Sequence, residues 1–160
     1  MSESERGPVR MIDVGGKAST VRRALASGRI RMAPDVLERV RKGTLEKGDA
    51  LQTARIAAIL AAKRTPEIVP LCHPIRISSV KIDFDFASET ELRIEVSVGG
   101  DDRTGVEMEA LTAVSAAALT VYDLCKMYGQ GMEIGPIRLE EKTGGKTGDY
   151  HRKDAASDSP

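Results

Sequence analysis

Aromatic residues are nearly absent from this 160-residue chain, which has three tyrosines, two phenylalanines and no tryptophan. Proteins that bind single-stranded nucleic acid stack the bases on aromatic rings, so this composition excludes a base-stacking surface. Net charge is absent too, because 24 basic residues balance 24 acidic ones. A protein that coats nucleic acid needs a strong positive balance. The chain is therefore not expected to bind nucleic acid, and any anion site must come from local clustering of basic side chains.

Cysteine is also scarce, with Cys72 and Cys125 alone and no CxxC or Cys/His spacing suited to zinc. We expect no metal site, and free thiols in a reducing compartment, with a single disulfide as the alternative. The first residues contain no apolar signal segment. Polar residues interrupt the longest apolar stretch before the ~20 residues that a membrane span needs. These absences predict a cytoplasmic protein without a membrane segment.

The length and composition predict one domain with its own core. Hydrophobic residues make up 41% and charged residues 30% of the chain, as in ordinary globular proteins. We expect a flexible lead over residues 1–8, a single α+β domain over 9–150 and a disordered polar tail over 151–160.

Periodicity and end signals predict three helices. Pro34 opens the first, whose apolar face is followed by Gly43. The second covers residues 50–64, with Asp49 as its N-cap and Thr65-Pro66 as its stop. The third is a long apolar helix within residues 105–126.

Alternating apolar and polar residues predict a hairpin of strands 80–86 and 92–98. Ile77 is out of register with Val80, so we expect a bulge near Ser78 and Ser79. Short strands are predicted at 11–14 and 134–139, and residues 21–32 are compatible with either a helix or a strand. Prolines on both sides make residues 69–74 a stiff loop. Residues 142–148 contain too much glycine to form a regular element. Helices over an antiparallel sheet make an α+β sandwich.

The third predicted helix carries a polar seam on an otherwise apolar surface. At 100° per residue, one stripe collects Glu109, Thr112, Ser115, Asp123 and Lys126. One interpretation is a solvated face with an ordinary Asp–Lys pair, which contributes about 0.2–0.5 kcal/mol. The other is a functional site, because desolvating such charges costs several kcal/mol per ion and stability alone does not explain them.

Three further features suit chemistry, each with a structural alternative. His73 lies in a loop with a proline on each side, and such a loop fixes the direction of the side chain. The imidazole can contact a ligand or transfer a proton, or it can form a hydrogen bond with nearby backbone. Lys47 precedes a helix N-terminus, where a cation is unfavourable unless an anion binds there. The GGKTG segment is not a phosphate-binding P-loop, because Glu140 stands where that motif needs glycine. It can be a mobile flap bearing Lys142 and Lys146, or an ordinary flexible tail.

Six motifs together resemble one known family. In chain order they are Lys-Gly-Asp, Ala-Lys-Arg-Thr, Pro-Leu-Cys-His-Pro, Thr-Gly-Val-Glu-Met-Glu-Ala-Leu-Thr-Ala, Tyr-Asp-Leu-Cys-Lys and Gly-Gly-Lys-Thr-Gly. This set resembles the cyclic pyranopterin monophosphate synthase family of molybdenum cofactor biosynthesis, from about Met11 to Tyr150. Glu133 and Glu140 depart from the aliphatic residues common in that family, which suggests surface or interface changes.

The resemblance implies a ferredoxin-like α+β fold and a catalytic domain that assembles as a homohexamer, a trimer of dimers with active sites at the dimer interfaces. It implies a lyase that acts on a cyclised dihydro-GTP made by a partner radical GTP cyclase. The reaction would rebuild the purine as a pterin, close a cyclic phosphate and release pyrophosphate. No redox cofactor is implied.

The resemblance also assigns roles to individual residues. The implied catalytic residues are Asp123, Lys47 and Lys126. The implied substrate contacts are Leu71, Cys72, His73, Met108 and Glu109, with Glu107 nearby and Arg22, Arg64, Lys142 and Lys146 as phosphate or loop contacts.

These residue types fit the chemistry, since a triphosphate needs fixed cations and ring opening and closing need several proton transfers. We expect crowding of the ammonium groups to depress a lysine pKa beside Asp123. The alternatives are a non-catalytic purine-nucleotide-binding module and a purely structural oligomer. The two charged ends of the long helix are separated by roughly 20 Å, so a compact pocket needs a second subunit to supply one of them.

Overall fold

The computed structural model describes residues 7–153 of the chain. Most of the predicted flexible lead and most of the predicted disordered tail lie outside the described residues. His151, assigned to that tail from sequence, belongs to a short strand.

An antiparallel sheet forms one layer of the domain and helices form the other. The strands are β1 (Thr20–Arg31), β2 (Ile77–Phe86), β3 (Glu91–Asp102), β4 (Glu133–Ile134), β5 (Arg138–Thr143) and β6 (Tyr150–His151). Their order across the sheet is β2-β3-β1-β5-β6, and β4 pairs with β1. The helices are α1 (Pro34–Lys42), α2 (Ala50–Lys63), α3 (Thr65–Ile68) and α4 (Glu107–Cys125). This arrangement confirms the predicted α+β, ferredoxin-like fold.

Residues 21–32, left open by the sequence, lie almost entirely in the central strand β1. Small side chains on its inner face let α4 approach closely. A Cβ atom at Gly28 would lie 2.4 Å from Val114 Cγ1, so a larger residue there would push the helix off the sheet. Arg23, Arg29 and Arg31 alternate with this inner face, whereas Arg22 lies on the same side as Ala24 and Ala26, so the segment shows no clean strand period in its sequence.

The predicted hairpin is confirmed as β2 and β3, both longer than expected. Leu92, Ile94 and Val96 are fully buried beneath the helices. The register shifts between Ile77 and Ser79, at the predicted bulge.

The predicted start and end signals of α1 and α2 are confirmed. Pro34 begins α1, and Gly43 follows it in the left-handed conformation. The Asp49 side chain caps α2 by accepting hydrogen bonds from the backbone N–H groups of Leu51 and Gln52. Thr65-Pro66 ends α2 as predicted, but a further turn of helix, α3, begins there.

Helix α4 is the core helix. It packs on β1, β3 and α2, and its small residues Ala110, Ala113 and Ala117 are fully buried. Contrary to the sequence-based expectation, its length and composition alone would suit a membrane span. Half of that apolar stretch is buried inside this domain, as is usual for the core helix of a globular protein.

Two strand predictions need correction. Residues 11–14 form no strand, and Met11 and Ile12 are exposed rather than packed on the sheet. The predicted strand 134–139 is divided into β4 and β5, because Pro136 has no N–H group for the ladder. Strand β5 then continues to Thr143, into the segment expected to be irregular.

The departures at Glu133 and Glu140 have different environments. Glu133 is exposed in β4. Glu140 accepts hydrogen bonds from Ser27 Oγ and from Arg138 Nε, the latter at 2.8 Å, and Arg152 Nε lies 3.8 Å away. Its carboxylate is therefore paired within the chain.

Candidate active site

Asp123 is held between two lysines at the C-terminal end of α4. Lys47 Nζ lies 2.9 Å from Asp123 Oδ2 and 3.3 Å from the Asp123 carbonyl oxygen. Lys126 Nζ lies 2.7 Å from Asp123 Oδ1. We call these three residues the lysine–aspartate cluster. Half of the Asp123 side chain is exposed, so the cluster is accessible to a ligand.

The cluster is strongly ionised. Hydrogen bonds from Lys126 and then Lys47 lower the pKa of Asp123 to about 2. The bond to Asp123 raises the pKa of Lys126. The expectation of a depressed lysine pKa is therefore wrong for Lys126, because the carboxylate lies between the ammonium groups and outweighs their repulsion.

A buried carboxyl group lies near the other end of α4. Glu109 is 1% exposed, and its Oε2 atom has no hydrogen-bond partner among the described residues. Cys72 Sγ, a free thiol, donates a weak hydrogen bond to Glu109 Oε1 at 3.9 Å. Burial, reinforced by the charge of Glu107, raises the pKa of Glu109. Burial also raises the pKa of the Cys72 thiol, so desolvation opposes the ionisation of both groups.

We expect Glu109→Gln to stabilise the protein increasingly as pH rises. A carboxyl group with a raised folded-state pKa contributes stability that is present below its ordinary value of 4.5 and lost as pH passes the raised value. Glutamine keeps the shape and has no charge to desolvate. Melting curves at pH 4 and pH 8 should show a variant-minus-wild-type difference that grows with pH. The exposed Glu89→Gln is the control, and an equal difference at both pH values for Glu109→Gln would contradict the prediction.

A basic pocket of about 460 Å³ lies at the N-terminal end of α4. Its charged lining consists of Lys17, Arg22, Arg103, Lys142, Lys146 and Glu107. Five cations face one carboxylate, and Glu107 Oε1 is already 3.2 Å from Lys142 Nζ. The remaining positive charge suits a polyanion such as a phosphate chain.

The glycine-rich segment and Arg22 build this pocket together. The Arg22 side chain donates hydrogen bonds to the carbonyl oxygens of Asp102 and Arg103, both at 3.3 Å. Gly145 has a φ of +104°, a backbone conformation that favours glycine, and this conformation places the segment against the Arg22 guanidinium group. Backbone N–H groups of Arg103 and Arg76 bond Asp102 and lower its pKa, which fixes the loop before α4.

The structure thus brings most of the predicted residues into one of three places. Lys47, Asp123 and Lys126 meet in the cluster, and Arg22, Glu107, Lys142 and Lys146 meet in the basic pocket. Cys72 meets Glu109, and His73 follows it in the same loop, half-buried and without a hydrogen bond or ion pair to residues 7–153.

Other predicted contacts stand apart. Leu71 and Met108 are large exposed side chains, 47% and 39% accessible, that flank the Cys72–Glu109 pair in sequence. Arg64 is exposed at the end of α2 and does not line the basic pocket.

Sequence reasoning did not assign two pocket residues, Lys17 and Arg103. Arg103 had a weak signal, since only three residues separate it from Glu107 at the start of α4. Lys17 had no signal in the sequence. It precedes β1, and the pairing of Thr20 with Asp102 brings this part of the chain close to Arg103. Within residues 7–153, no three His, Cys, Asp or Glu side chains are grouped to hold a metal ion.

One chain does not bring its two charged regions together. Helix α4 is continuous from Glu107 to Cys125, so the basic pocket and the lysine–aspartate cluster lie roughly 20 Å apart along its axis. Each region by itself contains only part of the predicted set.

Comparison with known proteins places these residues in a family context. A profile of the MoaC family matches residues 11–145. The chain is 52% identical over 149 residues to a Brevibacillus brevis protein named cyclic pyranopterin monophosphate synthase, covering 93% of each chain. It is 55% identical over 148 residues to a Streptomyces coelicolor protein of that name, covering 92% of this chain and 86% of the relative. A Mycobacterium bovis protein named cyclic pyranopterin monophosphate synthase 3 is 52% identical over 151 residues, or 94% and 85% of the two chains. With the profile and these relatives all spanning most of its length, the chain belongs to the MoaC family.

Proposed function

We propose that this chain catalyses the formation of cyclic pyranopterin monophosphate in molybdenum cofactor biosynthesis. The substrate is (8S)-3′,8-cyclo-7,8-dihydroguanosine 5′-triphosphate, and diphosphate is released. The observation that carries the proposal is the meeting of Asp123 with Lys47 and Lys126, the three residues that the family motifs implied as catalytic. The names of relatives more than half identical support it.

The basic pocket suits the triphosphate. Arginine and lysine bind phosphate oxygens through charge-assisted hydrogen bonds, and Arg22, Lys142 and Lys146 supply such donors from two strands and the glycine-rich segment. A segment that closes over the phosphates would exclude water, which otherwise competes by hydrolysis. Closure of the cyclic phosphate then requires a ribose hydroxyl aligned on the α-phosphorus while the bond to diphosphate breaks. Nearby cations stabilise that leaving group.

The lysine–aspartate cluster suits the proton transfers. Rearrangement of a purine into a pterin breaks and forms C–N bonds, and each step needs a proton delivered or removed. Lys126, whose ammonium form is favoured by Asp123, stabilises developing negative charge and delivers a proton only to an atom that becomes strongly basic during the reaction. Asp123 orients both lysines by accepting a hydrogen bond from each. The Cys72–Glu109 pair, with Leu71, His73 and Met108, offers contacts for the ring system.

The separation of these regions supports a site shared between two chains. The basic pocket of one chain and the lysine–aspartate cluster of a second chain together would combine the three predicted catalytic residues with four predicted contacts, which are Arg22, Glu107, Lys142 and Lys146. This is the reason for proposing a homo-oligomer, and the family resemblance suggests a hexamer of three dimers. The same resemblance suggests an enzyme that receives its substrate from a radical GTP cyclase and uses no redox cofactor, and the sequence composition suggests a cytoplasmic location.

Turnover of the cyclised intermediate tests the function directly. Purified protein should convert it to cyclic pyranopterin monophosphate with one diphosphate per product, measured by coupled diphosphate detection and chromatography. GTP, which lacks the new ring bond, is the control and should yield no cyclic product. Tight binding of GTP without turnover of the intermediate would favour the nucleotide-binding module instead.

A further inference from the structure

Tyr128 links the end of α4 to the loop that carries Lys47. Its backbone N–H donates to the Cys125 carbonyl oxygen at 2.9 Å, which fixes it in the turn that follows the helix. Its hydroxyl oxygen accepts a hydrogen bond from the Glu46 backbone N–H at 2.7 Å. The Arg39 guanidinium lies 4.8 Å from the centre of its ring and holds the ring from the α1 side.

This link acts on the residue next to Lys47. The loop between α1 and α2 forms a turn closed by the Gly48 N–H on the Leu45 carbonyl oxygen at 3.0 Å, with Leu45 buried. Glu46 and Lys47 are the central residues of that turn. The Tyr128 hydroxyl therefore fixes the Leu45–Glu46 peptide group, one peptide before the bond that joins Glu46 to Lys47.

Lys47 needs such support because its own contact is exposed. The Lys47 side chain is 43% exposed and that of Asp123 is 50% exposed, so solvent competes with their hydrogen bond. A lysine side chain loses conformational entropy when it is held in one geometry. Fixing the backbone beside it reduces the number of positions that the ammonium group can reach.

We propose that Tyr128 is a positioning residue that holds Lys47 against Asp123 by tying the turn 45–48 to the segment after α4. The inference rests on the proposed function, in which Lys47 is catalytic. Tyr128 acts through Lys47 and does not touch the reacting atoms. Its loss therefore lowers kcat more than it changes KM, and only while Lys47 is present.

The test compares Tyr128→Phe, Lys47→Ala and the double variant in the full-length protein. Phenylalanine keeps the ring under Arg39 and removes only the acceptor oxygen. We expect kcat to fall about three- to tenfold for Tyr128→Phe, the range of one ordinary hydrogen bond, with KM changed less than about twofold. In the Lys47→Ala background, the same change should lower kcat by less than about twofold. Tyr150→Phe, which removes an exposed hydroxyl in β6, is the control for the substitution itself.

A second readout does not depend on turnover. Titration of the Asp123 carboxyl carbon by NMR should show its pKa raised in Tyr128→Phe, in the direction of Lys47→Ala, with the melting temperature little changed. If the wild type has no synthase activity but this titration responds, the function is wrong and the positioning role stands. An unchanged titration in Tyr128→Phe, or an equal loss of kcat with and without Lys47, would overturn the inference.

Discussion

Replacing Asp123 with asparagine should lower kcat for the cyclised intermediate by about 10²-fold or more, the usual contribution of a positioned acid–base group. Asparagine has nearly the same shape as aspartate, but it lacks the negative charge. That charge favours the ammonium form of Lys126, and the carboxylate that carries it accepts hydrogen bonds from both lysines. Lys47→Ala should have an effect of the same order, because it removes one of the two donors. Steady-state rates of product formation measure both losses.

The chain offers a matched control for this experiment. Lys81 and Asp83 form an exposed ion pair at 2.7 Å, with side-chain exposures of 74% and 57%. Surface pairs of this kind contribute about 0–1 kcal/mol and carry no catalytic role. Asp83→Asn should therefore leave kcat unchanged. If the kcat of Asp123→Asn is also within about threefold of the wild-type value, the lysine–aspartate cluster has no catalytic role and is only a surface ion pair.

Mixing two inactive variants should restore activity. Arg22→Ala combined with Lys142→Ala removes two charged donors from the basic pocket, and each such hydrogen bond is worth about 1.5–3 kcal/mol. Asp123→Asn disables the other region. If each site combines the basic pocket of one chain with the cluster of its partner, a mixed dimer contains one intact site. Random mixing should then recover about a quarter of wild-type activity, because half the dimers are mixed and half of their sites are intact.

The recovery requires both proteins to exchange subunits, so co-expression with two affinity tags is the suitable format. Each variant expressed alone with both tags is the control and should remain inactive. Activity that stays at the level of the separate variants would show that a site is complete within one chain. That outcome would leave the proposed chemistry intact and remove the shared site.

Much of the fold follows from local signals in the sequence. The helices α1 and α2 begin and end where Pro34, Gly43 and Asp49 predicted, because a cap acts on backbone groups within one turn. The hairpin β2–β3 follows from strict alternation, which buries one face of each strand. The predicted strand at 11–14 is absent because a short apolar segment does not by itself supply a partner strand.

Local sequence patterns predicted only part of the candidate site. The charged residues of α4 were visible as a polar seam, and the motifs singled out Lys47. Nothing in the local pattern distinguished a solvated seam from a site. The structure shows that the two ends differ, since Glu109 is 1% exposed while Asp123 lies half-exposed between two lysines.

The fold class, the helix ends and the residue types available for chemistry follow from the order of amino acids, because capping and periodicity act over a few residues. Long-range packing is needed to bring Lys47 to Asp123 across 76 positions, to join Lys17 and Arg103 to Arg22, and to make residues 21–31 part of the central strand. It also decided the ionisation of the cluster. A pKa depends on distances and desolvation, and both are set only when distant segments pack together.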